Sequence, residues 1–282
     1  MQSKKSRNTK KKRKAASILK YIVLILFAIV DFYPFFWVLM SSFKDNNAII
    51  VKPLSLPDSI SVYSYVRAWT DVMIGRNFKN SVIYSVCGVF LIVLLSAMVA
   101  FVVTRVIPSK LLYGYFTLGI MIPMHAVLIP TFIIMKHLHI YNTRPGFIVL
   151  ITASNLSLAI FILTSFMKSI PKELDEAAYI DGCSYFKMFY KIALPMAKPG
   201  LATIGTLTFL NCWNEYLFAY IMLSNEKIKT ITQGIFALKG MYYTDYSTLC
   251  AGLMIAIIPM ILFFIIFQEQ VIGGMTAGAV KG

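Results

Sequence analysis

Six long apolar runs dominate this chain, near residues 18–42, 82–104, 112–134, 147–167, 200–223 and 249–267. A helix crossing the hydrocarbon of a bilayer needs about 20 such residues, and each run supplies enough. Composition agrees: 58% of residues are hydrophobic and only 14% are charged, against about 25% charged in soluble domains. The expected fold class is therefore an all-α integral membrane protein with six transmembrane helices, spanning 18–267 without an internal repeat or a second domain.

The net charge of +15 suggests nucleic acid at first sight, but its distribution points elsewhere. Lys4, Lys5, Arg7, Lys10, Lys11, Lys12, Arg13, Lys14 and Lys20 precede or open the first run. Such a cluster is retained in the cytoplasm, beside anionic lipid. Residues 1–17 are read as a basic cytoplasmic tail, disordered over the first dozen, and a nucleic-acid arm is the disfavoured alternative. An even number of spans then places residues 268–282 in the cytoplasm as a C-terminal tail. The loops do not decide orientation. Lys44, Lys52, Arg67, Arg76 and Lys79 in the first long connector match Lys168, Lys172, Lys187, Lys191 and Lys198 in the fourth. The basic start followed by an apolar run mimics a secretory signal, but the run is too long and no small-residue cleavage site follows Phe43, so it is read as an uncleaved first span.

Catalytic machinery is not legible. There is no G-x-x-x-x-G-K-[ST] loop, so this chain is not expected to cradle ATP itself, and no hydrolase elbow, zinc motif or paired carboxylates occur. His137 and His139 form a bare H-x-H, too weak to predict a metal site. Cys87, Cys183, Cys212 and Cys250 have no metal-ligand spacing and read as packed thiols. No catalytic residue, metal or cofactor is assigned to the chain.

The most specific stretch is a polar island between the fourth and fifth runs, EAAYIDGCSYFKMFYKIALP at 176–195. Pro171 suits the first position of a helix, and Glu173, Asp175 and Glu176 favour its N-terminal turns. Ala177 and Ala178 permit close approach. Gly182 can end the helix in the left-handed conformation, and Ser184 can cap a second one. That second helix would carry Tyr185, Phe186, Phe189 and Tyr190 on one face until Pro195 ends it. Taken alone, this could be an amphipathic helix resting on lipid. The spacing EAA-x3-G-x9-I-x-LP, however, resembles the cytoplasmic loop of the membrane subunits of binding-protein-dependent ABC importers. The resemblance implies a type I importer permease fold, with 169–199 forming coupling helices. It also implies ATPase docking through Glu176, Ala177, Ala178, Gly182, Phe186, Ile192, Leu194 and Pro195.

The fifth run holds a polar anomaly, FLNCWNEYLFAY at 209–220. Asn211, Asn214 and Glu215 fall at i, i+3 and i+4, one face of a continuous helix. An acid within a span costs about 2.5–3.5 kcal/mol on insertion scales, so this face should turn inward. It can serve as interhelical glue or, with Tyr216, as a path for hydroxyl-rich solute. Asp31 is the other acid at depth. Pro123 and Pro130 should kink the third span. The 52–69 connector, the lead-in Phe78, Asn80 and Ser81, the WN-acid-aromatic segment and the tail VIGGMTAGAVKG resemble carbohydrate permeases of the maltose type.

That resemblance implies a sugar or oligosaccharide importer in the cell membrane of a prokaryote. Its partners would be a second homologous permease, two ABC ATPases carrying ATP and magnesium, and an extracytoplasmic solute-binding protein. Glycerol-phosphate or peptide would be alternative solutes. A self-sufficient secondary transporter or channel, with Asp31 and Glu215 as ion sites, is the alternative from another class.

Overall fold

The structure is a computed structural model described over residues 2–240 and 244–279, with side chains described for 17–240 and 244–270. Every regular element among the described residues is helical. The chain forms two compact units, Met1–Asp71 with Leu238–Ile255, and Val72–Ala237 with Ala256–Gly282.

In the first unit, helix α1 (Gln2–Ser41) takes in the basic segment, which is helical where disorder was expected. No residue in the most apolar window of its Ser17–Ser41 stretch is buried, as for a helix facing lipid. Asp31 lies exposed on it. Two short helices follow, Asn46–Val51 and Tyr63–Thr70. Side chains fasten this unit. Trp37 Nε1 donates to the Pro53 carbonyl at 2.8 Å, and the Ser42 and Tyr65 hydroxyls meet at 2.7 Å. Asp245 accepts from the Thr248 N–H at 3.2 Å, an N-cap for the helix that starts at Tyr246, and pairs with Arg67. Burial pushes the Asp245 carboxyl up. Hydrogen bonds from Thr248 and Ser247 and the Arg67 charge outweigh it and hold the carboxyl below its usual range.

The second unit is built on helix α2 (Ile74–Phe101), which continues as a π-helical turn over Val102–Val106. Then come α3 (Lys110–Thr117), α4 (Leu128–His137), α5 (Arg144–Ser169), α6 (Glu173–Ile180), α7 (Tyr185–Met188), α8 (Lys198–Asn214) and α9 (Leu217–Met222). The last helix, α10, is Tyr246–Ala279. α2 packs chiefly on α5 and next on α8, burying Tyr84, Ile92, Phe147, Ile151, Leu163 and Ile204. The three helices converge at Gly88. A Cβ there would stand 2.8 Å from Ile151 Cδ1 and 3.4 Å from Cys212 Sγ. Without a hydrophobic force between helices in lipid, such small-residue contacts allow the close packing that holds a bundle together. Hydroxyls inside the helices mostly bond their own backbone: Thr104, Thr152, Ser154, Thr206 and Thr208 each donate four residues back at 2.7–2.8 Å.

A polar knot fixes the start of α2. Asn80 Nδ2 donates to the Lys227 and Lys229 carbonyls at 3.1 and 2.9 Å, and its Oδ1 accepts from Arg144 at 3.1 Å. Ser81 Oγ accepts from the Ile231 N–H at 2.9 Å, and the Tyr84 hydroxyl donates to the Ile228 carbonyl at 2.7 Å. Asn80 and Ser81 do not precede the helix, as the sequence suggested. They lie inside it, because α2 starts at Ile74 after a left-handed Met73.

The span count departs from six uninterrupted helices. Four stretches among the described residues are long and apolar enough to cross a membrane: Ser17–Ser41, Ile74–Val106, Arg144–Ser169 and Tyr246–Gln270. The third predicted run is a pair, Lys110–Met121 and Met124–His137, bent by 90°. Pro123 sits at the break in an extended conformation, whereas Pro130 falls in the first turn of α4, where no N–H is needed. The fifth run, 200–223, is two helices, α8 and α9, parted at an extended Glu215 (ψ 115°). The predicted boundary at 267 coincides with non-helical torsions at Phe267, past which α10 continues.

Candidate functional site: an exposed loop and a polar helix break

Helix α6 starts at Glu173 with Glu173, Asp175 and Glu176 in its first turn. Pro171 lies two residues upstream rather than inside it. Ala178 is buried, while Glu176 and Ala177 face outward. The helix ends at Gly182 (φ 73°), with Gly182 N–H donating to the Tyr179 carbonyl and Cys183 N–H to the Ala178 carbonyl. Ser184 then caps α7 by accepting from the Lys187 N–H. Past Met188 the chain winds as a π-turn over Phe189–Ala193 and resumes as a short helix, Leu194–Met196. Pro195 therefore sits near the start of a new turn and does not end the helix. Ile192 and Leu194 are half-buried beside it.

The aromatic stripe is divided. Phe189 is 5% exposed and its ring packs 5.4 Å from that of Phe101. Tyr185, Phe186 and Tyr190 stay outside, so the four rings do not share one face. The exposed surface of the loop includes large apolar side chains beside its charges: Tyr179 is 71%, Ile180 84% and Phe186 73% exposed. Exposed apolar patches of this kind mark interaction sites. Tyr179 and Ile180 line a cavity of about 350 Å³ together with Arg105, Asp175, Glu176 and Tyr185.

Arg105 is a site residue that sequence reasoning missed. Its Nη2 donates to the carbonyls of Met167 at 3.1 Å and Ile170 at 2.7 Å. Its Nε lies 2.7 Å from Asp175 Oδ2. Asp175 Oδ2 nevertheless receives no aligned hydrogen bond, so charge holds this contact. The two side chains are only 7% and 14% exposed.

The polar segment of the fifth run is also rearranged. Because α8 stops at Asn214, Glu215 does not continue the Asn211–Asn214 face. Its carboxylate instead accepts from the Phe218 N–H at 2.8 Å, meeting an orphan donor in the first turn of α9. Asn214 Nδ2 turns back to the Leu210 carbonyl at 3.0 Å, and the Tyr216 ring packs at a tilt on those of Tyr220 and Phe236, with centroids 5.6 and 5.0 Å away. Asn211 lines a cavity of about 390 Å³ shared with Ser154, Asn155 and Ser157 near the 90° bend. Asn211 Nδ2 donates to Asn155 Oδ1 at 3.1 Å. Asn155 had no sequence signal beyond being an amide within an apolar run.

The family described as "Binding-protein-dependent transport system inner membrane component" matches residues 92–272. The diacetylchitobiose uptake system permease protein NgcG of Streptomyces coelicolor is 36% identical over 267 residues, covering 93% of this chain and 88% of that protein. The arabinooligosaccharides transport system permease protein AraQ of Halalkalibacterium halodurans is 32% identical, covering 96% and 100%. The trehalose/maltose transport system permease protein MalG of Thermococcus litoralis is 32% identical, covering 94% and 97%. Among solved structures, a chain of a bacterial ABC transporter involved in the import of the acidic polysaccharide alginate superposes with a TM-score of 0.81. It is 22% identical and covers 91% of this chain and 96% of that one, a likeness of fold.

Proposed function

The chain belongs to the binding-protein-dependent transport system inner membrane components, and from that premise we propose that it imports a sugar or oligosaccharide as a permease subunit driven by a separate ATPase. The observation that carries the coupling is the 173–195 loop. It is ordered by a glycine turn and a serine cap, yet leaves Tyr179, Ile180 and Phe186 exposed for a partner to cover. Glu176, Ala177, Ala178, Gly182, Phe186, Ile192, Leu194 and Pro195 form this docking element, and ATP and magnesium are held by the partner. The names of the relatives, diacetylchitobiose, arabinooligosaccharide and trehalose/maltose permeases, support a sugar. Asn211 with Asn155 supplies amide groups suited to hydroxyls, while Asn214, Glu215 and Tyr216 shape the break beside them.

A second permease subunit and an extracytoplasmic binding protein complete the assembly, with both termini of this chain in the cytoplasm. ATP and the loaded binding protein both favour the outward-open state, shifting its population. The test is uptake of a panel of labelled di- and oligosaccharides by cells with and without the gene. Uptake of at least one sugar should need the gene and survive a protonophore as long as ATP is maintained. No gene-dependent uptake of any sugar would refute the solute class. Uptake that follows the proton gradient and ignores ATP would refute the coupling. For orientation, a cysteine at Ser59 should react with an impermeant reagent outside whole cells, and one at Lys187 only after permeabilisation.

A further inference from the structure

We propose that Arg105 is a positioning residue that locks the 173–193 loop to the end of α2, so that this one helix receives the stroke of the ATPase. The inference rests on the coupling role proposed above and adds which membrane helix takes the force and through which side chains.

Three elements meet at Arg105. Its own backbone belongs to the π-helical turn that ends the Ile74–Val106 stretch. Its Nη2 takes two carbonyls from the C-terminal end of α5, Met167 and Ile170. They lie at the C-terminal end of the helix, where carbonyls are short of intrahelical donors and the dipole favours a cation; the Met167 carbonyl also accepts from the Ile170 N–H at 3.3 Å. Its Nε faces Asp175 of α6 at 2.7 Å. An arginine at the end of a span would ordinarily extend its head into water. This one is 7% exposed on its side chain, so its charge is committed to neighbours within the protein.

A second contact joins the same two parts. Phe101, the last residue of α2, packs its ring 5.4 Å from that of Phe189. Phe101 and Arg105 are one helical turn apart, whereas Asp175 and Phe189 lie on either side of the Gly182 turn. One attachment would let the loop pivot. Two attachments flanking the turn fix both its position and its tilt. Displacement of α6 and α7 is then passed to α2 directly. Both contacts also fall on or beside π-helical turns, Val102–Val106 and Phe189–Ala193. Such turns are uncommon and frequently occur at functional sites.

The experiment is amide hydrogen exchange on the assembled complex in lipid nanodiscs, free and trapped with ATP and vanadate. In the wild type, trapping should change exchange in both 173–190 and 100–107. With D175N the ATPase should still co-purify and 173–190 should still respond, but the response at 100–107 should be lost. D175E should restore it, and F189L should weaken it by removing the second contact. R105K, which keeps charge and stem, replaces D175N if that variant does not assemble. A purely structural role would lower assembly yield and leave the response at 100–107 intact in whatever assembles, and that result overturns the inference. So does a wild-type response confined to 173–190. If the wild-type chain binds no ATPase, or trapping leaves 173–190 unchanged, the coupling reading itself fails, and this inference with it.

Discussion

Replacing Gly182 separates the conformation of the loop from the surface it presents. The residue has φ 73°, and a Cβ built on it meets nothing within 4 Å. Steric conflict with neighbours is therefore absent, and the whole cost of a side chain is conformational. The left-handed state costs an L-residue about 1–2 kcal/mol. Asparagine tolerates it better and β-branched residues worse. If the free loop relaxes into another turn and must be pulled back to dock, that cost appears as lost affinity. A difference of about 1–2 kcal/mol corresponds to roughly 5- to 30-fold. Titrating the ATPase subunit against the full chain in nanodiscs should give Gly182→Val and Gly182→Ala weakened over that range, with valine the worse. Gly182→Asn should stay near wild type. Two results would refute the reasoning. Wild-type binding by the alanine and valine variants would mean the turn is not needed for docking. An asparagine variant as weak as valine would mean that bulk at the surface, not backbone torsion, sets the affinity.

The knot at the start of α2 predicts that Asn80→Leu lowers stability by about 1–3 kcal/mol, because the Lys229 carbonyl loses its side-chain donor while Arg144 still donates to the Lys227 carbonyl. An unchanged thermal unfolding midpoint in detergent would show that other groups hold the Lys227–Lys229 turn. For Asp245, the folded carboxyl lies below its usual value of 3.8. Its contribution is thus fully present above the ordinary carboxylate range and lost as pH falls through and below it. Wild type should exceed Asp245→Asn in unfolding midpoint at neutral pH, and the gap should close below about pH 3.8. A gap that persists unchanged at acid pH would remove the charge from the explanation.

Much of the loop was legible because its signals are local. Gly182 and Ser184 act through their own backbone neighbours, and both are found in the roles their residue types suggest. The errors arose where a long-range partner or an unmarked helix break decides the outcome. Phe189 turns inward onto Phe101, a partner 88 residues away in the chain, whereas Tyr185, four residues before it, stays exposed. Glu215 was read as part of one helix because FLNCWNEYLFAY contains no glycine or proline to signal a break. The break is instead met by the Glu215 carboxylate on the Phe218 N–H. Arg105 looked like one more cation beside a span. Its partners are 62, 65 and 70 residues away in the chain, a separation that no periodicity in the sequence marks. Asn80 was noticed as a family feature, but its bonds to the Lys227 and Lys229 carbonyls could not be seen without the fold.

The helix hydroxyls that bond back onto their own backbone bear on how this sequence can drift. Thr104, Thr152, Ser154, Thr206 and Thr208 each hand their proton to a carbonyl in the preceding turn, one that the helix ladder also serves. Exchange with valine or alanine at such a site removes a donor without stranding an acceptor. These positions can therefore wander between hydroxyl and aliphatic over evolutionary time while the helix keeps its place. Polar content within the spans would then vary between homologues with little structural meaning. The informative polar sites are those whose partners lie on another element, such as Asn80, Ser81, Tyr84, Arg105, Arg144 and Asn211.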